Sequence, residues 1–386
     1  MMTGELRCLP PEAMGFDPAG WKRVTTLAGQ LCAEEVAPVL ALQVVHAGRT
    51  TGPLLFASPA AEGPFAIRQD PIFLVASLTK PILAMGVVQL AEQGLLALND
   101  RVVDFLPEFA KADRRNVTVR HLLTHTSGLP DMLPDNMALR REQAPLSRFI
   151  AGTCEVPLDF PPGRGVQYQS MGYALLGEII SRVSRQPYNE YLRDALFEPL
   201  GMYDTALGTP ESWWQGREDA PPKVERIVGI RVPPEQEGGD DWNWNSRYWR
   251  SFGAPWGGLL STPMDLAILC QTMLQGGRYG DARVLSSAAV AQATRNQLDA
   301  FRDLSEADRR TRSWGFGWRM NWSAHSAAFC DLLGPDAYGH WGAVGTLFWM
   351  DPERELAAVL LTTQPLERGR SHLTRLSNAI VAAVAD

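Results

Sequence analysis

Apolar residues recur at helical spacing over 18–36 and then give way to a nearly unbroken run, "VLALQVVHAGRTTGPLLFA". That change of period predicts a helix followed by two strands around a Gly48 to Gly52 turn. The stretch 71–94, "PIFLVASLTKPILAMGVVQLAEQG", reads as a buried helix over roughly 77–93 that Gly94 ends. "VTVRHLLTHTSGL" predicts a short helix stopped at Gly128, residues 170–184 a longer one, and "PYNEYLRDALFEPLG" a third stopped by Gly201. "STPMDLAILCQTMLQGG" is helical again, with Ser261 or Thr262 as its cap and Pro263 in its first turn. Strand-like segments follow in "SWGFGWRM", "YGHWGAVGTLFWMD" and "ELAAVLLTTQ", and residues 371–385 close the chain as a helix.

Residues 208–256 break this pattern, with many prolines, few periodic runs and six of the twelve tryptophans, from Trp213 to Trp256. Such an aromatic load predicts an ordered but irregular excursion, not a linker. Its tryptophans either pack that excursion or, with Trp341, wall a pocket for an acyl or alcohol group. Trp318 and Phe316 read as strand core.

Strands at both chain ends with helices between them predict an α+β fold. Residues 1–95 and 265–386 would form an antiparallel sheet domain flanked by helices, and residues 96–264 a mostly helical insertion. Short turns between the C-terminal strands require antiparallel pairing, because parallel pairing needs long crossovers.

Composition narrows the function classes. At 386 residues and a net charge of −7, without a Lys/Arg-rich run, the chain is unsuited to nucleic acid. Five cysteines, an odd number with no C-x-x-C pair, fit neither a zinc site nor a disulfide framework; reduced thiols in the cytoplasm are expected. The first residues carry charges and two prolines where a signal peptide needs an apolar run. No window long enough to span a membrane is free of charge. No H-E-x-x-H or Walker A pattern calls for a metal or nucleotide, so no cofactor is expected. "GRSHL" at 369–373 misses the last glycine of a G-x-S-x-G elbow.

One composition detail points to chemistry. The chain has four lysines against thirty-two arginines, and one of those four, Lys80, lies in its most apolar stretch. Lysine can lose its proton inside a protein, whereas arginine effectively cannot. Pro81 must lie in a helix's first turn, since it lacks an N–H and clashes with the carbonyl four residues earlier. The helix therefore begins at or just before Ser77, which shares a face with Lys80 at its positive end. A neutral Lys80 could take the Ser77 proton while free N–H groups hold an oxyanion. Lowering a lysine pKa from about 10.4 to about 7 costs roughly 4–5 kcal/mol, which burial can supply. On these four residues alone, a lysine snorkelling to water beside a capping serine is the better account of the pattern.

The wider sequence carries a resemblance. "SLTK" within "FLVASLTKPILAMGVVQLAEQGLLALND" resembles the nucleophile helix of the serine β-lactamase and penicillin-binding-protein superfamily. "VTVRHLLTHTSGLP" and "WGGLLSTPMDLAIL" look like two further blocks of its class C-related branch. "PPGRGVQYQSMGYALLGEIISRVSRQPYNEYLRDALFEPLGM" is similar to its tyrosine segment, and "GHWGAVGTLFWMDPERELAAVLLTT" to the strand bearing its third motif. These blocks run in family order from about residue 65 to 365. The resemblance implies a β-lactamase-like fold with Ser77 as nucleophile, Lys80 as its base and Tyr168 working with Lys80 as acid and base. Lys80 would be the cation that lets Tyr168 ionise near neutral pH. The N–H groups of Ser77 and Ala343 would form the oxyanion hole, with Ser170, His340, Trp341 and Gly342 against the substrate.

Two departures from the family pattern shape the expected activity. Ser170 stands where the β-lactamases carry the Asn of Y-x-N, and His340-Trp341-Gly342 stands where they carry K-T-G or H-T-G. The tryptophan resembles the family VIII carboxylesterases. Both changes weaken recognition of a β-lactam and suit an uncharged small-molecule ester. A carboxylesterase is therefore expected, with an acyltransferase, a β-lactamase or D-alanyl-D-alanine peptidase, and a non-catalytic ligand binder as alternatives. His125 and Ser127 suggest a triad by composition, but the motif that holds them is structural in the family.

Overall fold

The strands with the least alternation form the middle of the sheet. In the computed structural model, which describes residues 5–111, 113–216, 220–322, 329–366 and 371–385, four strands carry it. They are β1 (Val39–His46), β2 (Tyr338–Gly342), β3 (Thr346–Asp351) and β4 (Leu356–Thr362). They run antiparallel in the spatial order β1-β4-β3-β2, pairing Leu42 with Leu360 and Phe348 with both Val359 and His340. Both chain ends thus supply the sheet, as expected. Arg49–Thr50, Leu54–Ala57 and Arg7–Cys8 extend it beyond β1, and Arg319–Met320 beyond β2. The pair Arg7–Cys8 with Arg49–Thr50 is parallel.

Both sheet faces are covered, which explains the unbroken apolar runs. Leu40, Leu42, Val44, Leu356, Ala358 and Leu360 pack with α1 (Pro18–Ala33) and the C-terminal helix α5 (His372–Val381). From the other face Val39, Ala41, Val45, Ala357, Val359 and Leu361 join a larger core. That core also holds α2 (Thr79–Glu92), α3 (Met171–Ser184) and α4 (Pro263–Leu274). The helical middle of the chain and the sheet therefore share one continuous interior. Thr262 caps α4, its hydroxyl accepting from the Asp265 N–H at 3.1 Å, and Pro263 opens the helix.

Several elements differ from the sequence pattern for local reasons. The first hairpin turns at Ala47 and Gly48, both at positive φ, and its return strand breaks at Gly52 before pairing again at Leu54–Ala57. The helix expected to run to Gly128 covers only Val119–Leu123, because His125 adopts a left-handed φ of 59°. Gly128 is left-handed too, at 83°, and any Cβ there would lie 2.0 Å from the Phe160 carbonyl oxygen. Within "SWGFGWRM" only Arg319–Met320 is strand, though Trp318 is fully buried as predicted for core.

The 208–256 excursion is a chain of short helical turns, the longest being Arg247–Phe252. Trp213, Trp242, Trp249 and Trp256 are buried, and the Arg140 guanidinium lies 4.2 Å from the Trp249 ring and 5.6 Å from that of Trp242. These four rings are packed into the protein interior. The five cysteines are free, with Cys8 exposed and the others buried. Among the described residues no helix is long and apolar enough to cross a membrane.

Leu360 on β4 is fully buried, whereas Leu55 on the edge strand is 37% exposed. Leu360→Ala is expected to cost about 2–5 kcal/mol in urea unfolding, and Leu55→Ala no more than about 0.5–1 kcal/mol. Equal shifts of the two midpoints would contradict the two-faced core.

Candidate active site

The segment before α2 is held by backbone pairing and then forced through a strained turn. Phe73–Leu74 pairs with Leu259–Ser261, and the Val75 N–H donates to the Leu259 carbonyl at 2.9 Å. Ala76 then takes a left-handed φ of 49° without being glycine, a conformation that costs about 1–3 kcal/mol. Its surroundings hold it there. The Ala76 carbonyl accepts from the Thr79 hydroxyl at 2.6 Å, and the Thr346 hydroxyl donates to the Val75 carbonyl at 2.8 Å. The reversal presents half-buried Ser77 in a 3-10 turn, Ala76–Leu78, that leads into α2. Pro81 is the third residue of α2, inside the first turn as its sterics demand.

Lys80, the second residue of α2, is fully buried. Its Nζ lies 3.1 Å from Ser77 Oγ and donates to the Trp256 carbonyl at 2.8 Å. Desolvation lowers its pKa to about 7, against an upward pull from the Asp131 charge. At neutral pH much of the amine is therefore uncharged, and the Ser77 hydroxyl can donate to its lone pair.

Tyr168 completes the centre. Its hydroxyl hydrogen-bonds the Ser77 side chain, and Lys80 Nζ sits 4.7 Å from the centre of its ring. The expectation that Lys80 would bring this phenol towards ionisation is not met. Desolvation first, then the Asp131 charge, push its pKa well above 10, and the bond to Ser77 offsets only part of that. The phenol is thus a resting proton donor and the amine a resting acceptor, with Ser77 between them.

Behind Tyr168 lie two imidazoles that burial keeps neutral. His340 is fully buried with its pKa lowered to about 3, and His125 is lowered well below its usual value. His125 Nδ1 accepts from the Gln169 N–H at 3.1 Å, so its proton is on Nε2; His340 Nδ1 lies 2.7 Å from the Trp341 carbonyl, so its proton is on Nδ1. Trp314 stacks among them, 4.2 Å from His125 and 6.0 Å from Tyr168 between ring centres. His340 was expected against substrate; it instead supports the tyrosine from inside. His125 and Ser127 form no pair, since the Ser127 hydroxyl donates to Gln169 and accepts from the Leu129 N–H.

The end of β2 closes against the same turn. Trp341 is half-buried, its ring 6.5 Å from Tyr168 and nearly parallel to it. A Cβ on Gly342 would lie 2.2 Å from Thr346 Oγ1 and 2.4 Å from the Val75 carbonyl oxygen. The close approach that requires glycine is therefore to the chain before Ser77, not to a ligand. Ala343 follows, exposed, and among the described residues neither its N–H nor that of Ser77 has an acceptor. Two such donors beside one hydroxyl can hold an oxyanion. Ser170 is buried, and its hydroxyl donates to Asp131 Oδ1 at 2.6 Å, so it reaches no ligand directly.

Two functional groups escaped the sequence reading. The Trp256 carbonyl anchors Lys80, yet a backbone oxygen leaves no mark in residue identity. Asp131, four residues after Ser127 in "HTSGLPD", had a signal in its acidity but no motif to attach it to.

Comparison with known proteins identifies the family. A family model described as Beta-lactamase matches residues 24–382. Penicillin-binding protein 4 of Amycolatopsis lactamdurans is 32% identical, covering 77% of this chain and 73% of its own. A putative D-alanyl-D-alanine carboxypeptidase of Escherichia coli K12 is 28% identical over 79% and 71%. The crystal structure of a family VIII carboxylesterase superposes with a TM-score of 0.74 at 21% identity, over 98% of both chains, which shows a shared fold. With a matched family model spanning nearly the whole chain, this protein belongs to the beta-lactamase family and is a serine hydrolase of the β-lactamase and penicillin-binding-protein superfamily.

Proposed function

We propose that this chain is a carboxylesterase working through an acyl-enzyme on Ser77. The observation that carries the reading is the buried Lys80 amine, 3.1 Å from Ser77 Oγ and with its pKa drawn down to about 7. Ser77 Oγ attacks the ester carbonyl while its proton passes to Lys80 Nζ. The tetrahedral oxyanion rests on the Ser77 and Ala343 N–H groups. Tyr168 gives its proton to the departing alkoxide and recovers one from the Lys80 ammonium. Water then attacks the acyl group, losing its proton to Lys80, and Ser77 leaves reprotonated.

The preference for an ester over a β-lactam or a D-alanyl-D-alanine peptide rests on charge. Both of those substrates carry a carboxylate that needs a fixed cation. Here the third motif offers neutral His340 and the indole of Trp341 in its place. The names of the curated relatives favour peptidase action instead, and transfer of the acyl group to an alcohol or amine would use the same intermediate. Free cysteines fit the cytoplasm as the place of action.

Ser77→Ala is expected to abolish stoichiometric labelling by a fluorophosphonate and to lower p-nitrophenyl butyrate hydrolysis by at least about 10⁴-fold. Persistent hydrolysis or labelling elsewhere would reject the assignment. Faster cleavage of a chromogenic cephalosporin or a D-alanyl-D-alanine peptide than of esters would move the activity to the rival class. Tyr168→Phe should lower kcat/KM for an ethyl ester, whose alkoxide must be protonated, by about 10²–10⁴-fold and that for p-nitrophenyl butyrate by much less, with fluorophosphonate labelling of Ser77 retained.

The reactive form needs Lys80 neutral, so protonation below its pKa removes it. The kcat/KM for esters should therefore fall about tenfold per pH unit below pH ~7 and level off above it. Lys80→Arg, charged at every pH, should show no such plateau. A pH profile flat from 5 to 9 in the parent enzyme would refute Lys80 as base.

A further inference from the structure

Gln169, the residue after Tyr168, is fully buried and takes no part in the acyl-transfer steps. A buried amide needs partners at both ends, and here both ends go to one short stretch of chain. Its Nε2 donates to the Leu122 carbonyl at 3.1 Å, and its Oε1 accepts from the Ser127 hydroxyl. Between those partners lies His125, held at a left-handed φ of 59°. The Gln169 N–H donates to His125 Nδ1 at 3.1 Å, and the imidazole packs 4.9 Å from the Tyr168 ring between centres. Gln169 therefore grips the chain before, at and after the strained residue whose ring supports the tyrosine.

A glycine points to the same amide. Gly172 is the second residue of α3, a place where alanine is the better helix former. A Cβ there would lie 2.6 Å from Gln169 Nε2 and 2.8 Å from its Cδ. The missing side chain leaves room for the amide to reach Leu122 and Ser127.

We infer that Gln169 is the positioning residue for the proton donor of the reaction: its amide clamps the left-handed turn at His125 and so fixes the Tyr168 phenol beside Ser77. The inference rests on the proposed role of Tyr168 in acyl transfer and deepens it. A backbone bond, from the Gln167 N–H to the His125 carbonyl at 3.0 Å, sets the level of the segment but leaves the imidazole free to turn. Without the amide, the Leu122 carbonyl loses a donor and the Ser127 hydroxyl an acceptor, and the His125 backbone can relax from its strained conformation. The imidazole shifts with it, and the phenol loses its alignment with Ser77. A reacting group misplaced by about 1 Å can cost about 10²-fold in rate.

Two substitutions test the clamp from opposite sides. Gln169→Met keeps the length of the side chain without its polar end, and Gly172→Ala keeps the amide but crowds it. In each, kcat/KM for ethyl butyrate, whose alkoxide must be protonated, is expected to fall about 10–10²-fold. That for p-nitrophenyl butyrate should fall much less, with fluorophosphonate labelling of Ser77 retained. Added to Tyr168→Phe, neither substitution should lower ethyl butyrate turnover by more than about twofold, because no donor is left to position. A merely structural role would lower both esters alike and add fully to Tyr168→Phe; either result would overturn the inference. Should Gln169→Met fail to fold, Gly172→Ala carries the same comparison. Crystal structures of the variants read the phenol without turnover. A Tyr168 hydroxyl beyond about 3.5 Å from Ser77 Oγ supports the clamp, and an unmoved phenol in both variants refutes it. If the parent enzyme cleaves no ester and leaves Ser77 unlabelled, the acyl-enzyme reading falls by itself, and these structures still decide the clamp.

Discussion

The desolvated amine of Lys80 is the constraint around which the rest of the site is arranged. Its pKa is lowered from 10.5 to about 7, which corresponds to about 5 kcal/mol of lost preference for the charged form. An arginine there would stay charged and would have to be ion-paired or driven out to water. Lysine can remain because it can be neutral, with its hydrogens directed at the Trp256 carbonyl and its lone pair available to Ser77. The strained Ala76, the early Pro81 and the glycine at 342 all serve the same geometry. Each lets the chain reverse tightly enough to put a hydroxyl beside a buried amine.

The same desolvation acts oppositely on the two proton-carrying groups. Burial disfavours charge, so it makes a lysine a better acceptor and a tyrosine a poorer acid. Lys80 and Tyr168 are thereby driven apart, one towards neutrality by losing a proton and the other by keeping it. Neutral His125 and His340 behind them add no full charge to upset that division. Two groups near one hydroxyl with opposed proton affinities are what stepwise acyl transfer requires.

How much of this was legible depends on where the information lies. The sheet from both chain ends, the helices and the capping of α4 were visible because burial on two faces and helix caps leave side-chain signatures. The Ser77–Lys80 pair was legible through Pro81, a residue with one steric answer. The extent of the Val119–Leu123 helix was not, because His125 adopts a left-handed conformation usually signalled by glycine. Nor were the roles of Ser170, His340 and Gly342. Their residue types suit a ligand, but long-range packing turned them towards Asp131, Tyr168 and Val75. Trp256 contributes through its backbone, so no side-chain pattern would have found it.

The fold leaves the substrate open, and the charges at its mouth narrow it. Relatives sharing this scaffold are named as penicillin-binding proteins, carboxypeptidases and esterases, so the buried machinery alone does not choose among them. The sign of the charge presented beside the nucleophile is one feature that can choose among such substrates. A site that places a cation there favours substrates ending in a carboxylate. In this protein the corresponding strand carries a neutral imidazole and an indole, so it offers no fixed cation to such a carboxylate. Base strength is set separately, by the burial that lowers the Lys80 pKa and the Asp131 charge that raises it.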